Sequence, residues 1–132
     1  MVQKFRAYDG GSLSRMYQPE DVMVGGGNIW INDEDFDAGE WIVNNDLELM
    51  QSTGLFDKNG TEIFEGDIIT KDEGETLGIV RYGICHSSLC FYVEGNYEGS
   101  ELTYPINPNF PRYYKVIGNI YENPQLLEGE EK

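Results

Sequence analysis

A chain of 132 residues with 24 Asp and Glu against nine Lys and Arg carries a formal net charge of −15, which argues against direct binding to nucleic-acid phosphates or to an anionic membrane surface. Two cysteines are too few for a disulfide framework, no stretch approaches the roughly 18 apolar residues of a membrane span, and Met1 to Arg6 lacks the apolar core of a secretory signal. The expectation is a cytoplasmic protein with both cysteines free, and sixteen Gly with nine Tyr and six Phe favour short strands joined by turns.

Lys4 to Tyr8 alternates charged and apolar side chains and predicts an opening strand that Gly10-Gly11 ends. Residues 12–27 lead to Gly25-Gly26-Gly27, read as flexible punctuation and not as a phosphate loop, since Asn28-Ile29 follows where Lys-Ser/Thr is required. Ile29-Trp30-Ile31 predicts a strand, Asn32 to Glu40 an acidic loop, and Trp41-Ile42-Val43 is apolar again. The first third therefore reads as a strand-poor layer over one side of a barrel. Between Arg15 and Lys58 there are ten acids and no base, so this segment is solvated, binds cations or faces a basic partner.

Residues 49–69 are the densest part of the pattern. Asn59-Gly60 lies between Leu55-Phe56 and Ile63-Phe64, which predicts a two-residue hairpin turn with positive φ at both positions. Glu65-Gly66-Asp67 then turns the chain into Ile68-Ile69, with the two carboxylates capping the turn rather than forming a catalytic pair. Thr70 to Thr76 is a charged turn, Leu77 to Ile84 and Cys90 to Glu94 are β-rich, and Asn96 to Gly99 is a further turn. Pro105, Pro108 and Pro111 forbid a central strand there, and Tyr113 to Tyr121 is the last strand, with Gly118 at a bend or close approach. Five or six strands at this spacing suit a small, strongly bent barrel.

Three blocks in order carry a resemblance: Lys4-Phe5-Arg6-Ala7-Tyr8-Asp9, the whole of Leu49 to Ile69, and Val116-Ile117-Gly118-Asn119-Ile120-Tyr121-Glu122-Asn123-Pro124. Together they resemble the YopX family of bacteriophage and prophage proteins. The resemblance implies a mainly β fold containing an SH3-like barrel at 49–124, preceded by an N-terminal elaboration at 1–48 and followed by a flexible acidic tail at 125–132. It implies no catalytic residue, cofactor or ligand.

Candidate sites are weighed on their chemistry. Asp33, Asp35 and Asp37 occupy the first alternate positions of a calcium loop, but Ala38 stands where Gly is needed and Asn44 where a bidentate Glu is needed, so a solvated acidic loop is expected. Cys85, His86 and Cys90 fall one ligand short of a structural zinc site, and Cys85 beside His86 in a strand would point to opposite faces, which disfavours a nucleophile and base. No metal, cofactor or catalytic set is assigned. Asn59, Gly60, Gly66, Asp67 and Gly118 are read as structural turn residues, and Trp30, Trp41, Tyr97, Tyr104 and Phe110 as the candidate interaction residues. The leading expectation is a non-enzymatic protein-binding module, forming homo-oligomers in the bacterial cytoplasm. Alternatives are an acidic mimic of DNA that blocks a host protein, and an enzyme built on Cys85 and His86.

Overall fold

The computed structural model describes residues 4–11, 14–33, 40–70, 77–85, 87–97, 100–106 and 114–128, leaving out the side chains of residues 77, 85, 88, 96, 97, 100–104, 127 and 128. The described chain is mainly β, with twelve strands, a single 3-10 turn at Pro19–Asp21 and one helical turn, α1 (Gln125–Glu128). It separates into two compact units, Met1–Ser52 and Thr53–Lys132.

The first unit holds β1 (Phe5–Asp9), β2 (Arg15–Tyr17), β3 (Val22–Gly25), β4 (Asn28–Asn32), β5 (Trp41–Val43) and the first part of β6 (Glu48–Phe56). β1 pairs antiparallel with β2 on one side and with β6 on the other, while β3, β4 and β5 form a separate antiparallel sheet. Ala7 and Tyr17 from the first sheet cluster with Ile29 and Ile31 from the second and with Leu47, and the partly buried Val22, Ile42 and Leu49 pack against them. Burying an aliphatic side chain of this size contributes about 1.5–3 kcal/mol. The core therefore holds two sheets together despite the shortness of β2 and β5.

The strand-poor layer expected here is thus corrected to five strands among the described residues up to Val43. Those of three or four residues show too little alternation to be seen alone, and pairing with neighbours makes them. The punctuation at Gly25 to Gly27 is likewise a defined turn. Gly25 pairs with Asn28, and Gly26 and Gly27 take φ of 59° and 79°, the positive pair that a two-residue hairpin requires.

The second unit carries the end of β6, β7 (Glu62–Phe64), β8 (Asp67–Thr70), β9 (Leu77–Cys85), β10 (Ser88–Tyr97), β11 (Ser100–Pro105) and β12 (Lys115–Asn119). Its larger sheet runs β11-β10-β9-β8-β12, so the last strand returns to pair with β8. Ile63, Ile69, Val80 and Val93 form the core, with Ile106, Tyr114 and Val116 against it. Seven strands, β6 to β12, run through the described residues of this unit, against the five or six expected of the barrel. Pro105 closes an edge strand, consistent with its missing N–H donor.

The turn residues have separate jobs. Gly60 alone takes a positive φ, 85°, while Asn59 does not. The expected turn with two positive φ angles is therefore absent. The Asp57 carboxylate accepts the N–H groups of Asn59 and Thr61, and Gly60 N–H reaches the Asp57 carbonyl, which holds a longer turn with glycine in the left-handed region. Gly66, at φ 88°, donates its N–H to Val80 O and accepts from Ile120 N–H. Fully buried Asp67 accepts Phe64 N–H at 2.7 Å. Gly118 sits at an irregularity in the β8–β12 register, where an added Cβ would lie 2.6 Å from Asn123 Oδ1. The flexible tail expected from residue 125 starts instead with α1.

Candidate interaction surface and the polar cluster beside it

The sheet of β3, β4 and β5 is built from apolar triplets, Val22-Met23-Val24, Ile29-Trp30-Ile31 and Trp41-Ile42-Val43. Alternate side chains of a strand face opposite ways, so a continuous apolar triplet makes both faces of the sheet apolar. Val22, Ile31 and Ile42 stand in one cross-strand row and point into the core. The neighbouring row, Met23, Trp30 and Val43, has the opposite facing, and Trp41 lies on that same face opposite Asn32. Met23, Trp41 and Val43 are exposed and Trp30 is half-buried. Directly opposed aromatic and aliphatic side chains stabilise such a row by about 0.2–1 kcal/mol per pair.

Local hydrogen bonds set this face. The Ile29 N–H donates to Asn45 Oδ1 and the Asn44 N–H to Ile29 O, fastening the chain after β5 onto β4. Asn45 Nδ2 also donates to Asn28 Oδ1 at the start of β4. Trp30 and Trp41, two of the five candidate interaction residues, are thereby brought onto one sheet face. Met23 and Val43 complete it; sequence reasoning missed them, although the unbroken triplets were the available signal. Tyr97 and Tyr104 belong to the paired strands β10 and β11 of the other unit, and Phe110 lies outside the described residues.

At the end of β4 stands a polar cluster. Arg15 Nη1 donates to both carboxylate oxygens of Asp33, at 2.9 and 2.7 Å, and Tyr17 O–H donates to Asp33 Oδ2 at 2.6 Å. Asp33 and Tyr17 are buried. A cavity of about 310 Å³ lies against the cluster, lined by Arg15, Tyr17, Gln18, Asp21, Asn32 and Asp33 among others. Asp33 was expected in a solvated loop; the cluster corrects this, because Arg15 supplies the charge that lets the carboxylate be buried. Asp35 and Asp37 lie outside the described residues, and among the described residues no group of three or more His, Cys, Asp or Glu is placed to hold a metal ion.

Burial, then the hydrogen bond to the Asp33 carboxylate and its charge, push the Tyr17 phenol from 10.0 up to about 12. The folded state therefore holds the proton more tightly than the unfolded state. Its contribution to stability is complete below pH 10 and is lost as pH rises through about 12. Urea midpoints measured across this alkaline range are expected to fall for the native chain and to fall less for Tyr17→Phe.

The remaining candidates fall in the second unit. Cys85 pairs with Ser88 across the β9–β10 turn, where Ser87 takes φ 69°; His86 is outside the described residues, and Cys90 is half-buried and free. Gly66, between Glu65 and Asp67, is bonded to Val80, and Cys85 is five residues further along β9. At roughly 3.3 Å per residue this separates the Cys85 end from the acidic turn by about 16 Å.

Comparison with known proteins agrees with this architecture. The chain is similar to the crystal structure of protein EF1440 from Enterococcus faecalis, with 26% identity and a TM-score of 0.55 over 96% of this chain and 99% of that one. No protein with a curated description matches. Residues 4–128 match the family described as YopX protein, and the chain belongs to that family.

Proposed function

We propose that this protein is a non-enzymatic accessory protein of a bacteriophage or prophage, acting in the host cytoplasm by binding a protein through the outward face of β3, β4 and β5. The observation that carries the reading is the exposed apolar row of Met23, Trp30 and Val43 with Trp41 beside it, since contiguous exposed apolar surface on a small acidic domain marks a contact site. The partner's chemistry follows from charge. No base occurs between Arg15 and Lys58, and Glu20, Glu40 and Asp46 in this unit are exposed. An apolar surface with a basic rim is complementary to that combination.

The DNA-mimic alternative draws on the same base-free run, but Asp33 and Asp57 within it are buried and hydrogen-bonded inside the fold. Two acids are thereby removed from any phosphate-like row. One experiment separates the readings. Immobilised native chain and the Trp41→Glu/Val43→Glu variant are exposed to host lysate at low and high salt, with circular dichroism confirming that the variant is folded. A partner held by the native chain, lost by the variant and weakened by salt is the expected result. Recovery of the same proteins by both chains overturns the proposal, and a DNA-binding protein released by salt but indifferent to the variant supports the mimic.

A further inference from the structure

The β9–β10 hairpin has one apolar face that outruns the core. Three cross-strand pairs lie along it: Val80 with Val93, Tyr82 with Phe91, and Ile84 with Leu89. The first pair is fully buried. The second is in ring contact, with centroids 4.6 Å apart, and Tyr82 is exposed. At the third pair Ile84 is 78% and Leu89 63% exposed. The tip pair is thus about 13 Å beyond the core pair at roughly 3.3 Å per residue.

The neighbouring strands stop short of this end. Among the described residues β8 pairs with β9 only from Leu77 to Ile79, and β11 pairs with β10 as far as Tyr92, with the Ile106 N–H reaching Phe91 O one residue further on. Exposed apolar residues scattered singly need no explanation, but a continuous face that begins in the core and continues into solvent does.

Charge selects the occupant. From Tyr82 to Val93 there is no Asp, Glu, Lys or Arg, in a chain that is 25% charged. The two charges that border this stretch, Arg81 and Glu94, face each other at 3.9 Å. A basic partner steered by the acidic surface finds no counter-charge here. Two chains that each carry −15 repel one another, and a charge-neutral face is where they can meet without burying like charges.

We infer that a second copy of this chain packs on the apolar face of the hairpin, around a two-fold axis. Ile84 and Leu89 of one copy then lie on Tyr82 and Phe91 of the other, an aliphatic tip against an aromatic base in both directions. The same patch serves both chains, so the assembly closes at two. The β3–β5 face belongs to the first unit, whereas this contact uses residues of the second. Its salt response is opposite in sign, because screening relieves the repulsion between two acidic chains.

Sedimentation velocity of the full chain over a wide concentration range tests the inference. The native chain is expected to approach twice 15.0 kDa as concentration rises, and at lower concentration in high salt. Ile84→Glu/Leu89→Glu is expected to dissociate at least about tenfold more readily, and the milder Ile84→Ser/Leu89→Ser to weaken the dimer in the same direction. Trp41→Glu/Val43→Glu should associate like the native chain. A native chain that stays at 15.0 kDa throughout, or tip variants that dimerise like the native chain, overturn the inference.

Discussion

Asp57→Ala is expected to lower the unfolding free energy by about 3–5 kcal/mol, read as a reduced urea midpoint at constant slope. Its buried carboxylate accepts Asn59 N–H at 2.9 Å, Thr61 N–H at 2.8 Å and, 59 residues along the chain, Val116 N–H at 2.8 Å. Its backbone takes part as well, with the Asp57 N–H on Thr61 O and the neighbouring Lys58 N–H on Tyr114 O. One side chain therefore shapes the β6–β7 turn and fastens β12 beside it. Bonds to a charged acceptor contribute about 1.5–3 kcal/mol each but do not add fully. Against a total of roughly 5–15 kcal/mol for a domain, the loss is large. Asp57→Asn presents an amide donor either to the turn or to Val116 and should recover only part of it. An alanine variant with a native midpoint would show that the hub does not hold the hairpin.

Asp33→Ala should cost about 2–4 kcal/mol, because the buried Tyr17 hydroxyl loses its acceptor and Arg15 its counter-charge. A double-mutant cycle with Tyr17→Phe checks whether the two act together. A coupling of about 1–2 kcal/mol is expected for groups in one buried network, and additive losses would contradict it. The effect is on stability of the first unit, since Asp33 closes β4 onto β2 rather than contacting the outward sheet face.

Much of the fold was legible because the hydrophobic pattern and the turn chemistry agreed. Ile63-Phe64 and Ile68-Ile69 are apolar runs separated by a glycine turn, and both runs entered strands. The strands near Met16 and Val22 were not legible, since three or four residues without alternation carry no period, and only their neighbours make them strands. At Asn59-Gly60 the residue pair pointed to one turn type, and a third residue, Asp57, selected another through its side chain. The same limit applies to the surface. Trp30 and Trp41 stand out by residue type, whereas Met23 and Val43 become relevant only through the register of β3, β4 and β5. Composition alone assigns Asp33 to a solvated loop, because its partners Arg15 and Tyr17 lie far away in sequence.

The return of β12 to β8 bears on how the chain is made. During translation Asp57 leaves the ribosome well before Val116, which follows 59 residues later. At about 5–20 residues per second, the nascent turn waits roughly 3–12 s for its latch. Until then Ile68 and Ile69 lie on a strand edge without its final neighbour, and an unpaired apolar edge is the surface on which unfinished chains aggregate. A break before Val116 leaves the chain without the β8–β12 pairing, and Asp57 without the Val116 N–H that it accepts.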